Sequence, residues 1–310
     1  MNTRFLRLWL FRILALPIFV LLSRLPLAWV YRLSDGMHGL VFRVFGYRRR
    51  VIRENLLHSF PELTELERER IAELNERYFC DLFLETFQLL KWDAAELSKH
   101  VAHRGFDIHD KALQEKKNLL FILGHMGNWE WYGSKYGILS PFQIFTIYHP
   151  LASPGFDELL YRMRRRWRTR LIRMKGATRK IRRLVAKDRE ERSPFVVAFI
   201  GDQSPRPEVA YWTRFLNQET AVFRGVEKVA REHDFPVAYV SVRRPARGKY
   251  TVTLELLAEN PRELREGEIL ERFIRKLEQD IREQPEIWLW THRRWKSKRP
   301  DGVPMSEWSR

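Results

Sequence analysis

The sequence predicts an α/β fold: a mostly parallel sheet flanked by helices, preceded by a hydrophobic, helical segment that anchors the chain to a membrane. Three observations carry this expectation. The runs Asn118–Leu123 (NLLFIL) and Phe195–Ile200 (FVVAFI) are apolar without alternation, as strands covered on both faces are. Segments with helical spacing of apolar residues separate such runs, which is the order of a parallel sheet with crossover helices. The chain is 310 residues long and 45% hydrophobic, enough for a sizeable core and too apolar for disorder. Cys80 is the single cysteine, so no intramolecular disulfide or Cys-rich zinc site can form, and its place within an apolar helix predicts a small core residue.

The N-terminal expectation rests on Ile13–Ser23 (ILALPIFVLLS), an apolar stretch of eleven residues bounded by Arg12 and Arg24. It is shorter than the roughly 20 residues of a spanning helix, and no A-x-A-like cleavage site follows it, which argues against a removable signal peptide. The wider stretch Phe5–Tyr31 is rich in Leu, Trp and Phe, with arginines at both ends to reach headgroups. A tilted anchor and an in-plane interfacial helix both fit; a helix buried in a soluble domain is the plainer alternative. Residues 1–35 are therefore expected as the anchor and 36–310 as a single domain. Arginines flank the run on both sides, so charge does not fix its orientation.

Along the chain, Glu62–Lys91 has Ile71, Leu74, Tyr78, Leu82 and Leu89 near helical spacing. Asn118–Leu123 then predicts a strand, Asn128–Tyr136 a helix, Ile144–Tyr148 a strand, Phe156–Lys187 one long basic helix, and Phe195–Ile200 a strand. Glu219–His233 predicts a helix with Val222, Val226 and Val229 on one face. Val237–Val242 and Tyr250–Leu257 predict strands joined by a turn at Ala246–Lys249, and Ile269–Glu283 a final helix. There is no internal repeat and no low-complexity tract.

The formal net charge is +17, and it is unevenly spread. Residues 1–50 hold nine Arg against Asp35, residues 160–192 have a net charge of +12, and residues 293–299 add five cations; the remainder of the chain is left at −8. A mildly acidic body with three basic patches fits a surface held against something anionic. Nucleic acid fits less well than a membrane or a phosphorylated substrate. Aromatics are not interleaved with the arginines as in single-strand binders, and no helix-turn-helix or zinc-finger spacing is present.

The candidate site is Gly124-His125-Met126-Gly127-Asn128-Trp129-Glu130, directly after the NLLFIL strand. In open α/β sheets ligands bind beyond the carboxyl ends of strands. On one ideal helix His125 and Glu130 would lie about 140° apart. They meet only if His125 is on the loop and Glu130 in the first helical turn. Glu130 could then accept from one imidazole nitrogen and leave the other as a base for a hydroxyl. The same pattern also suits a structural histidine at a helix start, with an acid near the positive helix end.

The block GHMGNWEW with its preceding strand resembles the late acyltransferases of lipid A biosynthesis, whose motif is His-x4-Asp/Glu. The resemblance continues through Tyr148-His149-Pro150, the basic stretch Arg164–Gly176, Gly201-Asp202-Gln203-Ser204, Phe215-Leu216-Asn217-Gln218 with Gly225, and Trp288-Leu289-Trp290-Thr291-His292-Arg293-Arg294-Trp295-Lys296. It thus covers about residues 100–300 in order. The resemblance implies O-acyl transfer from an acyl carrier protein thioester to a hydroxyl of a lipid A precursor or related phosphorylated glycolipid, without cofactor or metal, at the cytoplasmic face of the inner membrane. It implies His125 as general base with Glu130 orienting and charging it. Asn128, Arg164, Arg173, Asp202 and Gln203 are the expected substrate contacts, with the Gly127 or Asn128 N–H or a guanidinium as oxyanion donor. A departure is Phe223-Arg224-Gly225, where members often place Thr before Gly. A lysophospholipid or aminolipid acyltransferase with the same dyad is the rival enzyme, and a non-catalytic basic protein binding membrane or nucleic acid the rival of another class.

Other residues divide between roles. Asp202 at a strand end suits a contact with substrate or His125, or a turn cap. The arginines of 160–192 suit phosphate oxygens or a solvated face. Trp288, Trp290 and Trp295 suit a membrane interface or a core. His100, His103 and His109 have the look of loop histidines rather than zinc ligands.

Overall fold

The computed structural model describes residues 8–191 and 193–309. Phe5, with Arg4 and Arg7 of the N-terminal basic patch, falls outside them. The fold is α/β, as expected, with a seven-stranded sheet in the order β1-β9-β8-β2-β5-β3-β4. The strands are β1 (Val101–Arg104), β2 (Leu119–Leu123), β3 (Gln143–Tyr148), β4 (Thr169–Arg173), β5 (Phe195–Ile200), β8 (Val237–Ala246) and β9 (Lys249–Ala258), and a separate hairpin pairs β6 (Tyr211–Phe215) with β7 (Gln218–Val222). Every pairing in the large sheet is parallel except β8 with β9, which the turn at Gly248 joins.

The all-apolar strands sit in the middle because both their faces are covered. In β2, Leu120 and Ile122 join a cluster with Phe273, Leu277 and Trp288; Leu119, Phe121 and Leu123 join another with Trp131, Tyr136 and Val196. The helices are α1 (Leu16–Leu22), α2 (Leu27–His38), α3 (Arg49–Ser59), α4 (Glu65–Gln88), α5 (Ala94–Ser98), α6 (Asp107–Gln114), α7 (Trp129–Leu139), α8 (Pro154–Arg166), α9 (Ala177–Glu191), α10 (Gly225–His233) and α11 (Glu268–Glu283). The long helix α4 starts at Glu65 rather than Glu62 because Thr64 and Glu67 form a capping box.

Two segments depart from the expected pattern. Residues 156–187 are not one helix but α8, β4 and α9. Trp167 is buried and donates its indole N–H to the Leu89 carbonyl at 3.2 Å, and the chain reverses at Arg168, whose φ is 58°. Thr169 and Ile172 are then buried and Arg170 and Arg173 exposed, a spacing of three that shows no strand alternation in the sequence. Those outward arginines line the free edge of the sheet, where charge discourages pairing with another chain. Residues 219–222 were expected as the start of a helix and instead form β7. Leu216 and Asn217 both have positive φ, the geometry of a tight hairpin turn, without the Asn-Gly pair that advertises one.

The N-terminal helices pack on the body through one face. Phe19 stacks on Phe87 with centroids 4.0 Å apart, Phe11 meets the Phe156 ring edge-on at 4.9 Å, and Arg12 pairs with Glu158 at 2.8 Å. The other face leaves Trp9, Leu10, Ile13, Leu14, Ile18, Leu21, Trp29 and Leu33 exposed. Among the described residues no helix is long and apolar enough to cross a membrane, so the structure gives no support to a spanning anchor.

Helix α7 crosses the Trp167–Arg168 reversal so closely that a Cβ on Gly137 would lie 2.2 Å from the Trp167 carbonyl oxygen, whereas one on Gly133 meets nothing within 4 Å. Gly137→Ala is therefore expected to destabilise the protein by about 1–3 kcal/mol, and Gly133→Ala to stabilise it by up to about 1 kcal/mol through helix propensity. Urea midpoints of the two variants check this; equal midpoints would contradict it.

Candidate active site

Strands β2 and β5 are parallel neighbours in the register Leu123↔Ile200. Two residues beyond that pair lie His125 on one chain segment and Asp202 on the other, so the sheet itself brings them together. The Asp202 carboxylate binds His125 twice: Oδ1 lies 2.6 Å from the imidazole Nδ1, and Oδ2 accepts the His125 backbone N–H at 2.7 Å. Oδ2 also accepts the Trp288 indole N–H at 2.9 Å. Burial alone would raise the Asp202 pKa, but the imidazole's charge and these hydrogen bonds outweigh it and bring it down to about 2. The carboxylate is thus ionised at neutral pH. It fixes the tautomer with the proton on Nδ1 and leaves Nε2 as the acceptor. Nε2 lies 3.3 Å from the Gln203 amide nitrogen, a long contact that a substrate hydroxyl could displace.

The loop that carries His125 is clamped from behind. The Leu289 N–H donates to the His125 carbonyl and the Gly127 N–H to the Ile287 carbonyl, each at 3.1 Å, and the Tyr78 hydroxyl donates to the Gly127 carbonyl at 2.7 Å. Gly127 has φ 62°, and a Cβ there would lie 2.4 Å from Val242 Cγ1. No other residue fits that turn without moving the strand beneath it. Asn128 then caps α7: its Oδ1 accepts the Trp131 N–H at 3.0 Å while its amide donates to Glu85 at 2.9 Å. The Asn128 side chain is fully buried and spent on the loop, so what it can offer a substrate is limited to its backbone.

Glu130 is not the hydrogen-bond partner of His125. Its carboxylate takes both forks of Arg164, Oε2 from Nε at 3.0 Å and Oε1 from Nη2 at 2.5 Å. The expected pairing fails for a geometric reason. The first turn of α7 turns Glu130 towards α8, while the parallel register has already delivered another acid to the imidazole. The structure therefore shows two adjoining pairs, His125–Asp202 and Glu130–Arg164, with Trp129 between them, its ring edge-to-face with the imidazole at 5.0 Å. Arg173 lies exposed on the edge strand β4, opposite Tyr148 in register, and Gln203 lies at the imidazole.

The C-terminal aromatic segment is core rather than membrane interface. Trp288 and Trp290 are buried, and Trp295 packs against them. The indole of Trp288 as a donor to the site carboxylate had no signal in the sequence beyond its neighbours. Beside it, the Arg294 guanidinium is buried, donating to the Ser204 hydroxyl at 3.1 Å and the Ala221 carbonyl at 2.7 Å, and burial brings its pKa down to about 10.

An apolar cavity of about 390 Å³ opens against Trp129 and Glu130, walled by Leu82, Phe83, Phe87 and Phe156. It adjoins a positioned imidazole with an ionised carboxylate and a fixed guanidinium. Over residues 1–297 the sequence matches the profile of the bacterial lipid A biosynthesis acyltransferases. The chain belongs to that family. It is also similar to the lipid A biosynthesis lauroyltransferase of Escherichia coli (strain K12), 26% identical over 294 residues that cover 94% of this chain and 92% of the relative. The protein is accordingly an acyltransferase of lipid A biosynthesis.

The same acyltransferase holds two half-buried histidines besides His125, and one of them, His292, stands near enough to feel the charges of both Asp202 and His125. Burial lowers the pKa of His292 to about 4, against the pull of Asp202 and with help from His125, Arg294 and Lys296, and burial likewise lowers that of His103 to about 4, against an ordinary value of 6.5. A histidine kept neutral in the fold binds fewer protons than in the unfolded chain. Its stabilising effect is whole above pH 6.5 and is lost as pH falls from there towards 4. The urea midpoint is expected to fall across this window, and His103→Gln is expected to flatten the fall. An unchanged slope in that variant would show that another group governs it.

Proposed function

We propose that this acyltransferase moves a fatty acyl chain from an acyl carrier protein thioester to a hydroxyl of a phosphorylated lipid A precursor. The observation that carries this reading is the His125–Asp202 pair at the carboxyl end of the parallel strands. A hydroxyl is a weak nucleophile at neutral pH. As its oxygen attacks the thioester carbonyl carbon, Nε2 of His125 takes its proton, and Asp202 stabilises the imidazolium that forms. When the tetrahedral intermediate collapses, the C–S bond breaks and the imidazolium returns the proton to the departing thiolate. No cofactor or metal enters this sequence. Glu130 fixes Arg164 so that its remaining N–H groups can meet the oxyanion or a phosphate; Gln203 meets the acceptor near the imidazole. Arg173 and the arginines around it face headgroups or sugar phosphates. The apolar groove beside Trp129 takes an acyl chain.

Removing a positioned base typically costs about 10²–10⁴ in rate. His125→Ala is expected to lose that much transfer between acyl carrier protein thioester and the phosphorylated glycolipid. Asp202→Asn is expected to fall comparably, because its amide can present an N–H to Nδ1 and favour the wrong tautomer. Glu130→Gln is expected to fall less, since the Arg164 fork keeps one acceptor. Near-normal turnover in His125→Ala would end the catalytic assignment. Turnover with lysophospholipids but not with the glycolipid would move the acceptor to that class.

The exposed apolar face of the N-terminal helices supports attachment in the plane of the inner membrane, with the site on the cytoplasmic side and basic patches towards anionic headgroups. Leu14→Glu with Ile18→Glu, both on exposed positions, is expected to release the protein from anionic phospholipid vesicles in co-sedimentation while leaving its melting unchanged. Undiminished sedimentation would refute that attachment.

A further inference from the structure

Glu85 of α4 is wholly buried; it does not touch the imidazole, and its ion pair with Arg244 is long, at 3.7 Å. Three hydroxyl and amide donors from three different elements converge on its carboxylate instead. Oε1 accepts the Tyr31 hydroxyl of α2 at 2.9 Å. Oε2 accepts the Asn128 amide from the His125 loop at 2.9 Å and the Tyr250 hydroxyl of β9 at 2.7 Å. Its backbone carbonyl takes the Trp131 indole N–H at 2.8 Å. One helical turn earlier, Asp81 accepts the Ser34 hydroxyl of α2 at 2.7 Å, Arg244 at 2.6 Å and Arg247 at 2.6 and 3.0 Å; Arg247 also pairs with Asp35.

The two carboxylates thus join the N-terminal helix, the β8–β9 hairpin and the site loop in one buried network. Of the two, Glu85 alone reaches the loop, and it does so through the residue that caps α7. Buried polar networks of this kind couple their members, and removing one donor loosens the rest.

We propose that Glu85 is a positioning residue: it couples the docking of the N-terminal helix, through Tyr31, to the shape of the His125 loop, through Asn128. As far as it concerns turnover, this rests on His125 being the base. Helix α2 exposes Trp29 and Leu33 on its outer side and reaches the site loop from its inner side through Tyr31 and Glu85, which makes the lipid surface the natural input to that coupling. The N-terminal segment then does more than attach the enzyme, because seating it completes the loop.

The test is amide hydrogen exchange across residues 124–131 of the full chain without substrates, together with steady-state kinetics. Tyr31→Phe removes one donor far from the imidazole. It is expected to speed loop exchange by about two- to tenfold and to lower kcat by a similar factor with KM for donor and acceptor unchanged. Glu85→Gln keeps one oxygen for Asn128 and Tyr250 and is expected to stay within about twofold of the parent. Glu85→Leu is expected to lose both loop protection and kcat, and if it does not fold, the other two variants decide. Arg12→Ala, which cuts the separate tie to Glu158, is expected to leave loop exchange unchanged. Unchanged exchange in Tyr31→Phe, or equal acceleration in Arg12→Ala, would overturn the coupling. Exchange is read without turnover, so failure of His125→Ala to lose activity would overturn the function and leave the coupling standing.

Discussion

The site depends on one carboxylate held in a dry place. Asp202 is buried, and it stays ionised only because the His125 ring nitrogen, the His125 backbone N–H and the Trp288 indole all point at it. Charge-assisted hydrogen bonds of this kind contribute about 1.5–3 kcal/mol each, and a lone buried carboxylate would instead take up a proton. The arrangement is therefore mutual. The acid sets the tautomer of the base, and the base keeps the acid charged. Much else serves this contact: the β2–β5 register that sets its span, the glycine turn at Gly127 that lets the loop lie flat on β8, and the 287–289 segment that grips the loop from behind.

Two ionic pairs side by side divide the labour of the site. In the proposed reaction the His125–Asp202 pair would handle a proton, while the Glu130–Arg164 pair presents a cation whose direction is fixed at both ends of the fork. Arg164 is partly covered, and the charge on Glu130 outweighs the cost of covering it, so its pKa stays above the ordinary arginine value. A guanidinium held in this way needs no reorganisation when negative charge develops nearby, which is where preorganised groups contribute most to rate.

How much of this the sequence showed depended on distance along the chain. The buried strands, the His125 loop and the N-terminal apolar segment were legible because each is a local pattern. The strand β4 was not, because its burial carries no period-2 alternation and its arginines continue the basic character of the helix before it, from which only the tertiary fold, burying Trp167, separates it. The β6–β7 hairpin was missed because Leu216 and Asn217 take positive φ without the usual turn residues. The partner of His125 was misassigned for a related reason. Glu130 is five residues away and Asp202 seventy-seven, and a single sequence weighs the near acid more heavily. Strand register, which decides the matter, leaves no mark on one chain. Asp202 stood among the candidate contacts because it follows a buried strand, and that position was the usable signal.

The aromatic contact between the N-terminal helix and the body has a consequence for handling and for evolution. Phe87 and Phe156, on which Phe19 and Phe11 rest, also wall the apolar cavity beside Trp129. Solubilising the protein by trimming its N-terminus would therefore uncover the backs of those rings and leave the groove with unsupported walls. The packing of the N-terminal segment and the shape of the groove share side chains, so neither can drift far in a lineage without a matching change in the other.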